Sequence, residues 1–252
     1  MFNKQQNAFT LIELSIVLVI IGLIIGGVLA GRALIQQAEI RASVSQFQQL
    51  ETAYRTFQTK YNCIIGDCDN ATDFLGMNYV VAGPGCPPSG GVGNGNGNGD
   101  GFIDNGGYGG NWSCESVQAV NSLYRANFLP TKLISPCRAN NTGYYKAIND
   151  SCGYFYKDDL YSQVTAIRTN SITLATFTVG NSLAGAALSP VQSRLIDEKI
   201  DDGKPFTGKF KAMSAALYSG GGIVANSCAT SGISGVYNTN EDYTCRAIYY
   251  IK

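Results

Sequence analysis

The chain has 252 residues, of which 18 are basic and 18 acidic, and it contains no histidine. That absence removes Ser/His/Asp and Cys/His nucleophilic catalysis, histidine-ligated metals and a histidine pH switch together. Zero formal charge with 14% charged residues leaves no overall basic footprint for nucleic acid, and 30 glycines with 15 tyrosines point to a loop-rich surface dotted with aromatics.

Residues 1–8, MFNKQQNA, are polar, and their one charge is Lys4. An apolar run begins at Phe9 and carries no charge from Leu14 to Gly31, just long enough to span a bilayer as a helix. Glu13 stands at its entrance. A carboxylate costs about 2.5–3.5 kcal/mol at mid-membrane and less near the end, so it needs a partner. No cation lies nearby in the intact chain, but a cut after Ala8 creates one, because the α-amino group of Phe9 then sits about one helical turn from Glu13. Past Arg32, the positions Ile40, Val44, Phe47, Leu50, Tyr54, Phe57 and Tyr61 recur at helical spacing. One helix is therefore predicted from Phe9 to Lys60, about 78 Å long, bare in its first half and amphipathic in its second.

The string Ala8, Phe9, Thr10, Leu11, Ile12, Glu13, Leu14 resembles the processing site of type IV pilins and type II secretion pseudopilins. The resemblance implies that a prepilin peptidase cuts between Ala8 and Phe9 and that Phe9 is N-methylated. It also implies that Glu13 neutralises the N-terminal amine of a neighbouring subunit during assembly. The residue before the cut is usually glycine in that family and is Ala8 here; Ala30 stands where many major pilins have a kinking proline. Gly22, Gly26, Gly27 and Gly31 suit close helix packing or a loosened helix. The competing reading is a secretory signal cleaved after Ala30, against which stand Glu13 and the helical period beyond Arg32. Further blocks, GDCDNATDFLG (66–76), GNGDGFI ending at Ile103, Glu115–Leu129 and Leu188–Ala212, look like a subgroup of pilin-like proteins.

The eight cysteines, Cys63, Cys68, Cys86, Cys114, Cys137, Cys152, Cys228 and Cys245, all lie in the polar part, as expected of four extracytoplasmic disulfides. Neighbour pairing is the expectation: 63 with 68, 86 with 114, 137 with 152, 228 with 245. No C-x-x-C pair favours the alternative of a zinc site. Trp112 is expected to cover the disulfide of Cys114. Residues 83–110 hold 13 glycines and read as a long loop. Within it, Asn96, Asn98, Asp100, Gly101, Ile103 and Asp104 match the first nine positions of an EF-hand-like calcium loop, and the match fails at the twelfth, Gly107. Calcium held by Asn96, Asn98, Asp100 and Asp104 is one reading; the other is a turn-rich spacer in which Asn-Gly and Asp-Gly supply positive φ.

A helix is predicted over 115–128, with Val117, Val120, Tyr124 and Phe128 on one face, and another over about 190–201, started by Ser189-Pro190 and stopped by Gly203. Strands are predicted at 143–148, 154–157, 172–179, 208–213 and 247–251. Asp197, Glu198, Asp201 and Asp202 read as a solvated helix face and polar turn, with Arg194 and Lys199 as partners, rather than as a glycosidase pair. Tyr249 and Tyr250 read as packing residues.

The expected fold is α+β and pilin-like, with a sheet packed on the amphipathic half of the long helix. Its expected parts are a leader at 1–8, the helix at 9–60 with 9–31 as transmembrane or filament core, and a disulfide-stapled head at 61–252. The expected function is a non-catalytic subunit of an extracytoplasmic filament. The implied partners are like or unlike filament subunits, the prepilin peptidase and an inner-membrane assembly platform. The precursor would sit in the bacterial inner membrane before joining a periplasmic or cell-surface filament. A secreted or singly anchored disulfide-rich binding protein is the competing class.

Overall fold

The structure, a computed structural model, describes residues 10–76, 96–104, 115–129, 145–148, 151–157, 169–177, 183–214, 227–230, 235–240 and 242–251. The chain divides into two compact units, Met1–Ala42 and Ser43–Lys252.

Helix α1 runs from Leu11 to Tyr61. In the first unit its aliphatic side chains are exposed from Leu11, 87% accessible, through Ile35, 61%. Among the described residues it is the one helix long and apolar enough to cross a membrane, with a mean hydropathy of 2.8 over an 18-residue window. In the second unit the same helix is a core element: Phe47, Leu50, Ala53, Tyr54 and Phe57 are buried at helical spacing. Val44 and Tyr61, expected in that stripe, are only half-buried, and Ser43 is buried instead. The helix ends at Asn62, which takes positive φ (56°) while its N–H still bonds the Gln58 carbonyl at 2.8 Å.

Five antiparallel strands follow the order β1-β2-β3-β6-β5, and the short β4 pairs with the far end of β3. They are β1 (Tyr145–Lys146), β2 (Cys152–Lys157), β3 (Asn170–Phe177), β4 (Leu183–Gly185), β5 (Phe210–Ser214) and β6 (Cys245–Tyr250). Register fixes which residues share a face. Phe155 opposes Ile172, Ile172 opposes Tyr249, and Tyr249 opposes Phe210, so these four rows point the same way. That face meets α1. The Phe47 ring stacks on Tyr249 with centroids 5.0 Å apart and sits edge-on to Phe210 at 5.9 Å, while Tyr54 stacks on Phe155 at 6.4 Å. The α+β pilin-like architecture expected of the sequence is therefore the one observed.

A polar bolt crosses the same layer. Glu51 accepts from Lys209 Nζ (2.5 Å), from the Tyr249 hydroxyl (2.6 Å) and from Arg55 (3.2 Å). Burial raises the Glu51 pKa, but these three donors outweigh it and hold the carboxyl below its usual range.

The remaining helices are short. Helix α2 (Ala71–Leu75) was not anticipated, nor was β4. Helix α3 covers Glu115–Arg125 and closes with paired bonds from Asn127 N–H to Tyr124 and from Phe128 N–H to Leu123, the double bond of a Schellman ending. Its buried set includes Ala119, Val120 and Leu123, whereas Tyr124, predicted on the packed face, is 40% exposed. Helix α4 (Pro190–Ile200) begins as the sequence predicts. Ser189 and Gln192 form a reciprocal capping box and Pro190 opens the first turn.

Two predicted disulfides are present, Cys63–Cys68 and Cys228–Cys245. Cys152 is also disulfide-bonded, while Cys86, Cys114, Cys137 and Trp112 lie outside the described residues.

Candidate functional site

Three places carry the sequence-predicted functional residues. The first is the start of α1. Ala8 and Phe9 lie outside the described residues. Glu13 does not wait for an amine to find a partner: its Oε2 accepts from both the N–H and the hydroxyl of Thr10, each at 2.8 Å. The Thr10 hydroxyl in turn accepts the Glu13 N–H at 3.3 Å. This is the reciprocal geometry of a helix N-cap, with Thr10 as cap and Glu13 three residues on. Its outcome is a carboxylate held locally at the mouth of the apolar run, with Oε1 taking no part in these bonds. Side chains added at Gly22, Gly26, Gly27 or Gly31 would meet nothing within 4 Å, so these positions leave close-approach surface along the helix.

The second place is the loop over 96–104. Side-chain oxygens would have to converge there to ligate calcium. Instead, the loop's amides converge on two carboxylates from outside it. Asp67 accepts N–H bonds from Gly99 (2.7 Å), Asp100 (3.2 Å) and Gly101 (2.8 Å). Glu115, at the start of α3, accepts from Asn98 (3.0 Å) and Asp104 (2.7 Å). Asn96 Oδ1 accepts the Thr72 N–H, Asn98 Oδ1 that of Asp100, and Asp100 Oδ1 that of Phe102, so three of the four proposed calcium ligands already cap backbone donors. The loop behaves as an anion nest whose anions come from the protein itself. Both acids are buried. Burial pushes the Glu115 carboxyl up to about 7, against the two amides, and the charges of Asp67 and Asp104 add to the rise. Asp67 moves in the same direction for the same leading reason, with Asp100 adding to it. Neither acid was singled out from the sequence. The available signal was an acid in the first turn of a helix, where the dipole favours it, facing a glycine-rich tract with many free amides.

The third place is the acidic group on α4. Asp197 is fully buried, which corrects the solvated face expected of it; Arg194 pairs with Glu198 at 3.5 Å. Asp201 and Asp202 do flank the helix end.

The pattern of a prokaryotic N-terminal methylation motif matches residues 3–29. That span takes in the scissile bond, Glu13 and most of the exposed apolar stretch. The chain bears the type IV pilin and pseudopilin signature. No curated protein and no solved structure matches it. With the pilin signature and the apolar helix together, the chain fits a membrane-anchored precursor, and the signature's family is structural rather than catalytic.

Proposed function

We propose that this pilin-like precursor is cut by a prepilin peptidase between Ala8 and Phe9 and becomes a structural subunit of an extracytoplasmic filament. The observation that carries the reading is one uninterrupted helix that is bare and apolar where the methylation motif lies and a core element of the head from Ser43 onward. A signal sequence is discarded, but a helix that also builds the head has to stay. In the filament, the exposed aliphatic stretch of α1 is covered by the same stretch of other subunits, which removes from lipid or water a surface far larger than a soluble monomer tolerates. Glu13 then shares its carboxylate with the α-amino group of a neighbouring Phe9, an ion pair that stabilises only where both charges leave water together.

The test is the intact mass and N-terminal sequence of the mature protein from its native envelope. A chain starting at N-methylated Phe9 is expected. A start at Gly31 would make the head a free secreted domain and end the reading. Glu13→Ala should insert and fold normally yet give few or no filaments; a normal filament yield from that variant would refute the assembly role of the carboxylate.

A further inference from the structure

The turn joining α4 to β5 gathers three carboxylates that filament assembly does not use. Asp197, Asp201 and Asp202 each bring an oxygen within 4.8 Å of the other two. Most of these oxygens answer donors of the turn itself. Asp201 Oδ2 accepts the amides of Lys209 and Phe210, and its Oδ1 accepts that of Asp202. Asp202 accepts the Lys204 amide at 3.0 Å and the Thr207 hydroxyl at 2.5 Å. Gly208 permits this closure, since it has positive φ (73°) and a Cβ there would collide with the Asp201 carboxylate.

Asp197 differs from its neighbours. It is 0% exposed, its Oδ2 accepts the Tyr237 hydroxyl at 2.7 Å, and its Oδ1 is buried with no hydrogen-bond donor among the described residues. A buried carboxylate oxygen beside two further carboxylates requires a positive partner. Lys209 Nζ reaches Glu51 and Arg194 pairs with Glu198, so neither supplies one. Burial, contact with Asp201 and the charges of Asp201 and Asp202 together raise the Asp197 carboxyl to about 9, the response of an acid held beside like charge.

We propose that Asp197, Asp201 and Asp202 form a binding site for a hard divalent cation of the calcium type. The donor set is all oxygen and mostly carboxylate, which excludes a preference for zinc or copper. Calcium suits it better than magnesium because calcium tolerates irregular shells and shared carboxylates, while Asp201 and Asp202 are exposed and leave the outer side of the shell to water. The α4–β5 turn is also the better cation site than the 96–104 loop. There the organising carboxylates, Asp67 and Glu115, are filled by amides; here a buried oxygen stands open. The ion would fasten the end of α4 to the turn entering β5.

The test is thermal unfolding and calorimetric titration of the full chain in detergent micelles with calcium chloride against chelator. With dissociation constants on the order of 10⁻⁴ to 10⁻³ M, 10 mM calcium should raise Tm by about 3–10 °C. Asp197→Asn keeps the shape and removes the charge, and the exposed Asp202→Asn provides a second variant that cannot perturb the core. Both should lose the shift and the binding heat, while Asn98→Ala keeps them. No shift in the parent chain would overturn the proposal and leave a shared Asp197–Asp201 proton as the neutralising partner. A shift that survives in both aspartate variants would overturn it equally, by locating the ion elsewhere.

Discussion

Replacing Phe47 by alanine tests whether the second half of α1 is a structural element of the head or a stalk laid against it. Phe47 is 1% exposed, stacks on Tyr249 with an interplanar angle of 15°, and meets Phe210 edge-on at 75°. Removal of a fully buried phenylalanine costs about 3–5 kcal/mol, and the two ring contacts place this site in the upper part of that range, about 4 kcal/mol. Phe47→Leu, which retains a filler but loses both ring contacts, should cost about 1–2 kcal/mol. Gln48, one residue on and exposed, is the control; its alanine variant should stay within about 0.5 kcal/mol of the parent. The assay is urea unfolding of the full chain in a mild detergent, followed by the near-ultraviolet dichroism of the tyrosines. A loss of 4 kcal/mol is a large part of the total stability of an ordinary domain, so the midpoint should fall sharply at unchanged slope. A loss below about 1 kcal/mol in Phe47→Ala, at unchanged slope, would show that the sheet holds itself without the helix and that the packing argument is wrong.

Two further outcomes follow from the same geometry. Glu115 has a folded pKa of about 7 against about 4.5 unfolded, so its contribution is fully present below 4.5 and is lost as pH rises through 7. From pH 5 to pH 8 this amounts to a loss of about 2.5 kcal/mol. Asp67 shifts the same way, so the check is Glu115→Gln, in which urea unfolding should show a visibly flatter pH profile and a lower absolute stability. Serine at both Cys228 and Cys245 opens a loop of sequence separation 17 and should cost about 3 kcal/mol, whereas opening Cys63–Cys68, separation 5, should cost about 2 kcal/mol. Equal losses for the two pairs would count against a chain-entropy origin.

Local signals were read well and long-range ones poorly. Ser189-Pro190 announces α4 because a cap and a fixed φ act within one turn. The neighbour disulfides 63–68 and 228–245 follow from short spacing. Strand β3 begins at Asn170, two residues before its predicted start, since that polar residue enters the sheet only by virtue of distant partners. Its amide donates to the Tyr54 hydroxyl and the Gly101 carbonyl, and its oxygen accepts the Ile103 N–H. Asp197 defeats the rule that acids on a helix face water because Tyr237, forty residues later, hydrogen-bonds it inside. In the 96–104 loop the side-chain spacing suggests a cation, while the backbone amides, which are invisible to a pattern of side chains, organise the loop around Asp67 and Glu115.

The position of β6 has a consequence for how the protein is made. This strand lies between β3 and β5, yet it follows every other described element in the chain. Its Tyr249 bonds Glu51 across 198 residues of sequence. A head that emerges across a membrane from its N-terminal side therefore exposes β3, β5 and the apolar stripe of α1 without their common partner until β6 has crossed. Folding is post-translocational for the whole sheet. For that interval the anchored nascent head presents open strand edges, so export machinery that releases the chain early, or a truncation just before β6, would yield an aggregating precursor rather than a slightly weakened one.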